Sequence, residues 1–452
     1  MEERISNDVV TRVRLHIRVG ESLMAEVDDC SVPPAYIEAA IERAREIDGF
    51  PLSGPQREIR KIGIVGAGTM GGGIAMCFAD GGVPVRIVER KQEALDRGLS
   101  LIRSNYERSA SRGRLSEDDV AVRMALISGS LVLDDLVDCD LVIEAVFENM
   151  ELKRSLFAEL DAIVRPDAIL ASNTSALNLD QIAIVTSRPE SVIGMHFFSP
   201  ANVMKLLEVV RGAKTGDDVI ATVMALATKI QKIPVLVGVC FGFVGNRMLY
   251  PRQMRAQQLL KEGAMPWDID RVLRNFGFKM GPFEMTDLAG LDIGWRKGAN
   301  TGDPIRDALC EIDRRGQKTR AGYYDYDDAR RPMPSETVAA IIRRELAVDP
   351  GARCPSDQEI LESCLYPMIN EGAKILGEKI AQRASDIDVV WVFGYGWPAT
   401  TGGPMKWADT IGLGRVLAKA EALGRENPWY APAPLLRELV DAGRRFEDLA
   451  AA

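Results

Sequence analysis

Only two histidines occur in the 452 residues, so an imidazole general base is either His16 or His196. His16 lies among Arg12, Arg14 and Arg18 and reads as a solvated polar-face residue. His196 sits near the end of the apolar run SVIGMHFF (residues 191–198), and Glu208 follows 12 positions later (208 − 196) in KLLEVV (205–210). If the SPANVM segment folds the two runs together, the carboxylate meets one imidazole nitrogen. That fixes the tautomer and favours the protonated ring, which suits an acceptor of an alcohol proton. A structural histidine beside a strand glutamate satisfies the spacing equally well. Gly66, Gly68 and Gly71 form G-x-G-x-x-G, with Thr69 and Met70 between the last two, directly after KIGIVG. Glycine there permits a tight turn and lets backbone N–H groups at a helix N-terminus approach a pyrophosphate. Glu89 stands 18 positions beyond Gly71 (89 − 71), where an acid can accept from ribose hydroxyls and repel a 2′-phosphate. NAD is therefore favoured, although Arg90 and Lys91 beside the acid keep NADP in play. Ser172, Asn173, Thr174 and Ser175 in SNTSALNL offer hydroxyls and an amide, either to a ligand crevice or to an ordinary helix N-cap. No G-x-S-x-G elbow surrounds them, so a serine nucleophile is not expected.

These side chains need a scaffold that converges on them. KIGIVG, the glycine-rich helical stretch after it and VPVRIVE have the βαβ order of a parallel sheet. Further strands are expected at DLVIEAV (140–146), AILASN (168–173), SVIGMHFF, KLLEVV and IPVLVG. A doubly wound α/β sheet of Rossmann type over residues 58–238 follows, its ligand crevice at the carboxyl ends of the strands. Beyond Phe241 the texture is helical, and the charged, proline-bearing DYDDARRPMPSE (325–336) reads as a linker. It divides an all-α domain at 239–335 from a second at 336–452, and SCLYPMINEGAKILGEKI echoes MLYPRQMRAQQLLKEG as a duplication would. Residues 1–57 read as an N-terminal helical extension. Its stretch 9–27 mixes apolar and charged positions. A second helix, AYIEAAIERAREI, carries a Tyr36, Ala40, Ile41, Ile47 stripe and is ended by Gly49 and Pro51.

Composition excludes several classes. Hydrophobic residues at 46% and charged residues at 27% fit a soluble globular chain long enough to bury its own core. A net charge of −9 with no clustered basic face argues against nucleic-acid binding and docking to anionic lipid. Seven cysteines with no CxxC pair indicate neither a metal site nor a disulfide framework, so a reducing compartment is expected. The charged N-terminus lacks a signal peptide's apolar core, and no apolar stretch reaches the about 20 residues of a spanning helix. The C-terminus lacks the Ser-Lys-Leu type of peroxisomal address, so a cytoplasmic location is expected.

Taken together, GAGTMGGGIA, VIEAVFENMELK, SNTSALNL, HFFSPANVMKLLEVV, GFVGNRML and KMGPFEMTDLAGLD resemble successive signatures of the L-3-hydroxyacyl-CoA dehydrogenase family. GQKTRAGYYDYD and GWPATTGGPMKWADTIG are similar to the dehydrogenase part of multifunctional β-oxidation enzymes, which carries two related helical domains after the Rossmann domain. The resemblance implies NAD-dependent, reversible oxidation of a (3S)-3-hydroxyacyl-CoA thioester, with an enoyl-CoA hydratase or thiolase as partner enzyme. About 57 residues before the sheet are too few for the hydratase domain of those enzymes, so a dehydrogenase without hydratase is expected. Carried over, the resemblance implies His196 as base, Glu208 as its partner, and Ser175 and Asn246 as holders of the substrate oxygen. Glu148 and Lys153 match positions lining the NAD site, and Asn173 belongs with them. Glu89 stands where many members have Asp, and Asn202 where related enzymes often have His. Arg108, Arg112 and Arg114 fall near the family's CoA-contacting helix region, as a phosphate site or as a solvated basic face. Two alternatives are a dehydrogenase of a small free hydroxy acid or sugar acid, and a non-catalytic subunit that keeps only NAD binding. The sequence specifies no oligomeric state.

Overall fold

Short, nearly unbroken apolar runs separated by helices fold into a sheet buried on both faces. A computed structural model describes residues 34–48, 55–349, 351 and 353–451. Strands β1 (Ile62–Val65), β2 (Val85–Val88), β3 (Ile127–Ser130), β4 (Leu141–Glu144), β5 (Ile169–Ser172), β6 (Val192–Phe197), β7 (Leu206–Arg211) and β8 (Ile233–Gly238) lie in the order β3-β2-β1-β4-β5-β6-β7-β8. All neighbours are parallel except β6 and β7. The chain reverses direction across the sheet between β1 and β4, where an α/β sheet opens its ligand crevice. Alternation sends Ile62, Ile64, Ile87 and Ile143 into a core under the helices Thr69–Asp80, Gln92–Ser111 and Asp217–Lys229. Val65, Val88, Val142 and Leu170 face the other core, shared with the helix Met150–Ile163 and with the helical half of the chain.

The sheet follows the Rossmann-type expectation with one addition. Strand β3, of sequence ISGS, has a single buried apolar residue, Ile127, and pairs only with β2 at the sheet edge. An edge strand this polar is recognisable by its pairing and not by its composition.

In the helical half, the long helices Gly245–Lys261 and Asp357–Gly377 pack on each other, each with an internal proline, Pro251 and Pro367. A buried aspartate follows in each block. Asp270 accepts from the Phe283 and Glu284 N–H groups at 3.1 and 2.8 Å, capping the helix Pro282–Ala289. Asp388 accepts from the Met405 N–H at 2.7 Å and the Lys406 N–H at 3.2 Å, capping Pro404–Ile411. The repeated arrangement is what a duplication leaves. Between the blocks, Asp325–Tyr326 and Pro332–Met333 pair antiparallel, so the segment expected as a linker holds a short ribbon, fastened by an Arg314–Asp325 ion pair at 2.7 Å. The next helix, Glu336–Glu345, packs against Pro304–Glu311.

Of the N-terminal extension, the helix Pro34–Ala44 lies against β8 and the helix Ala384–Gly394. Ile37, Ala40, Ala44 and Ile47 are buried and Tyr36 and Ile41 half-buried, so the apolar stripe meets the body of the protein. The Tyr36 hydroxyl donates to Asp388 Oδ2 at 2.6 Å, matching Tyr324, which donates to Asp270 Oδ2 at 2.9 Å in the first block. Arg383 donates to the Arg43 and Glu46 carbonyls and pairs with Asp48. His16, the stretch 9–27, Gly49 and Pro51 lie outside the described residues. None of the described helices is long and apolar enough to cross a membrane.

Candidate functional site

The glycine turn follows β1 and meets the carboxyl ends of β2 and β4. Gly66 takes φ +109°, and a Cβ at Gly71 would lie 1.9 Å from the Gly66 carbonyl oxygen, so the turn closes only with glycine at both places. Gly68 has nothing within 4 Å of where its Cβ would be, and no side chain caps the helix Thr69–Asp80 that begins after it. Gly68 and Thr69 are exposed and Met70 half-buried, leaving the first N–H groups of that helix to a ligand. At the end of β2, Glu89 accepts from the Ala67 N–H at 3.2 Å, which ties the acid to the turn. An open N-terminus for a pyrophosphate with an acid beside it for a ribose fits a dinucleotide.

A second polar group lies across the crevice. Glu144, fully buried at the end of β4, accepts from Lys153 Nζ at 2.6 Å, from the Ser172 hydroxyl at 2.7 Å and from the Val146 N–H at 2.8 Å. Lys153 also reaches Glu148 at 3.2 Å. Glu148 Oε1 accepts from the Thr174 hydroxyl at 2.7 Å, and from the Ser175 N–H at 2.8 Å and hydroxyl at 3.1 Å. Burial works against the Glu148 charge, but the Thr174 hydroxyl, Lys153 and the Ser175 N–H outweigh it and hold the carboxyl below its usual range. The hydroxyls of SNTSALNL are therefore engaged with two glutamates, while Asn178 caps the helix Leu179–Ala183. The Asn173 carboxamide oxygen accepts from the Phe197 N–H at 2.9 Å and ties the end of β5 to β6. Glu144 was not singled out from sequence. The signal available was an acid inside the apolar run of β4 with a lysine nine positions on (153 − 144).

Beside this network, β6 and β7 run antiparallel with His196 directly opposite Glu208. Alternation sends Met195 and Phe197 to one core, and His196 and Phe198 to the side of the helix Gly245–Lys261. His196 Nδ1 lies 2.7 Å from Glu208 Oε2, and the two side chains are 7% and 0% exposed. Glu208 Oε1 accepts from the Val244 and Gly245 N–H groups at 3.2 and 3.0 Å, so one carboxylate serves both the imidazole and a helix N-terminus. The Phe198 and Phe243 rings stand 4.4 and 5.8 Å from the imidazole and limit its rotation. With Nδ1 committed, Nε2 is the nitrogen left for chemistry.

Asn246, in the first turn of the same helix, donates from Nδ2 to the Ser175 carbonyl at 3.2 Å, which joins the base pair to the glutamate network. Its Oδ1 accepts from the Tyr395 hydroxyl at 2.7 Å. Tyr395 lies 149 residues downstream in the second helical block and was not among the candidates. Arg108, Arg112 and Arg114 are exposed, at and just beyond the end of the helix Gln92–Ser111. Among the described residues, no three His, Cys, Asp or Glu side chains are grouped to hold a metal ion.

Comparison with known proteins agrees with this architecture. Residues 61–240 match the NAD binding domain of 3-hydroxyacyl-CoA dehydrogenase, and residues 242–326 and 360–447 match the C-terminal domain of the same family. The peroxisomal bifunctional enzyme of Homo sapiens is 46% identical over 415 residues, covering 86% of this chain and 57% of the relative. That of Danio rerio is 44% identical over the same shares. The chain thus spans little more than half the length of these relatives. Among solved structures, 3-hydroxybutyryl-CoA dehydrogenase from Escherichia coli K12 aligns with a TM-score of 0.72 at 26% identity over 85% of this chain and 98% of its own. The dehydrogenase part of multifunctional enzyme 1 from C. elegans aligns with a TM-score of 0.64 at 30% identity, over 90% and 99%. With its sheet domain and both helical segments matched in order, the chain belongs to the 3-hydroxyacyl-CoA dehydrogenase family.

Proposed function

We propose that the chain catalyses the reversible, NAD-dependent oxidation of a (3S)-3-hydroxyacyl-CoA to the 3-ketoacyl-CoA. The observation that carries this reading is the buried His196–Glu208 pair, 2.7 Å apart, beside Asn246 and Ser175 at the edge of the dinucleotide crevice. NAD, when bound, supplies the nicotinamide carbon that accepts a hydride from C3 of the substrate. The turn closed by Gly66 and Gly71 would hold its pyrophosphate through the N–H groups around Gly68, Thr69 and Met70, Glu89 would take its ribose, and Glu148, Lys153 and Asn173 would line the NAD site. Glu208 holds His196 in the tautomer with Nε2 unprotonated, and Nε2 takes the 3-hydroxyl proton in oxidation and returns it in reduction. Ser175 and Asn246 hold the substrate oxygen during the transfer.

The acyl-CoA substrate class is supported by the family and by both helical segments. A hydratase that supplies the 3-hydroxyacyl thioester, or a thiolase that consumes the ketone, is the partner this chemistry calls for. The names of the relatives place those proteins in peroxisomes, and the cytoplasm is our proposal for this chain, carried over from the sequence expectation alone. Cell fractionation separates the two locations. The activity is tested by following NADH oxidation with acetoacetyl-CoA and with free acetoacetate. Turnover confined to the thioester is expected, and equal or greater turnover of the free acid would overturn the substrate class.

A further inference from the structure

The second helical block sends a polar side chain, Tyr395, to Asn246. From the end of the helix Ala384–Gly394, the Tyr395 hydroxyl donates to Asn246 Oδ1 at 2.7 Å. The ring stacks on Trp391 at 4.6 Å and meets Phe198, the neighbour of His196, edge-on at 5.5 Å. The ring also lies over Gly245, where a Cβ would come within 2.4 Å of Cε2, so glycine at the helix start is what admits it. Burial first, and then the Glu208 charge, keep the phenol well above its ordinary pKa, so its hydroxyl donates.

A carboxamide has two faces with opposite chemistry. Asn246 Oδ1 accepts from Tyr395, and Nδ2 uses one hydrogen on the Ser175 carbonyl, at 3.2 Å. The second Nδ2 hydrogen remains for the substrate oxygen, whose negative charge develops in the reduction direction. Turned over, the amide would present Oδ1 to that charge and oppose it. We propose that Tyr395 is a positioning residue of the hydroxyacyl-CoA reaction, locking the Asn246 amide so that it donates to the substrate oxygen. The second helical block then completes the site built by the sheet and the first. This rests on the function proposed above.

The experiment measures NADH-dependent reduction of acetoacetyl-CoA by the full chain and by Tyr395→Phe, Asn246→Ala and the double variant. Phenylalanine keeps the stack on Trp391 and Phe198, so the variant is expected to stay folded, with the lost hydroxyl bond lowering the melting temperature by no more than a few degrees. The expected result for Tyr395→Phe is a fall in kcat of about tenfold with KM for NADH unchanged, shrinking to less than about twofold in the Asn246→Ala background. An unchanged kcat in Tyr395→Phe overturns the proposal, as does a tenfold loss that persists when Asn246 is already alanine. If the unaltered chain turns over acetoacetyl-CoA while Tyr395→Phe is insensitive, the positioning role alone falls. If the unaltered chain has no turnover, the functional reading falls and takes the positioning role with it.

Discussion

Replacing Glu208 by glutamine isolates what its charge does for His196. The side chain is fully buried and both oxygens are in use, Oε2 at 2.7 Å from His196 Nδ1 and Oε1 on the Val244 and Gly245 N–H groups. Glutamine has nearly the same volume, so no cavity opens, but its single oxygen can serve only one of the two sides. Two backbone donors outcompete one ring nitrogen, which turns the new NH2 toward Nδ1. Nδ1 must then accept, the ring proton moves to Nε2, and Nε2 no longer takes a proton from the substrate. A hydrogen bond to a charged group contributes about 1.5–3 kcal/mol, or roughly ten- to a hundredfold in rate, before the tautomer change is added. Glu208→Gln should therefore lower kcat for NAD-dependent oxidation of 3-hydroxybutyryl-CoA by about a hundredfold or more, while the NADH Kd from fluorescence titration changes less than about twofold. A variant within about threefold of the unaltered kcat would refute the claim that this carboxylate orients the base.

Three further outcomes are expected. Glu89→Ala should raise the NADH Kd by about tenfold and narrow the gap to NADPH, because Glu89 also ties the glycine turn through Ala67; an unchanged NADH to NADPH preference in titration would place the discriminating residue elsewhere. Glu148, whose folded carboxyl lies below its usual range, contributes stability above the unfolded value of about 4.3 and loses it as pH falls through the folded value. The melting temperature of Glu148→Gln should thus decline less on acidification from neutral pH than that of the unaltered chain, and parallel curves would contradict this. Tyr36→Phe leaves the buried Asp388 without its hydroxyl donor, so stability should fall by about 1–3 kcal/mol and the melting temperature by a few degrees. NADH affinity should be unaffected, and a normal melting temperature would mean that the N-terminal helix is not held through this bond.

Local pattern in the sequence was enough for the scaffold and for half of the site. Buried parallel strands are nearly all apolar, so seven of the eight were visible, and the polar edge strand ISGS was not. Glycine spacing marked the dinucleotide turn because only glycine closes it. Spacing offered His196 and Glu208 as a pair, because a short connection between two strands leaves few registers for them, but it left a structural histidine equally open. Contacts between distant segments were a different matter. The bond of Ser172 to Glu144, the grip of Tyr36 on Asp388 and the reach of Tyr395 to Asn246 depend on how strands, layers and helical blocks pack. Tyr395 in the sequence is an aromatic residue between two glycines, and any of several packings would have suited it. It became part of the site only when the second block settled over Gly245. A residue's type and spacing constrain its nearest few partners along the chain, whereas a bond across 149 residues is decided by burial of the surfaces that carry its two ends.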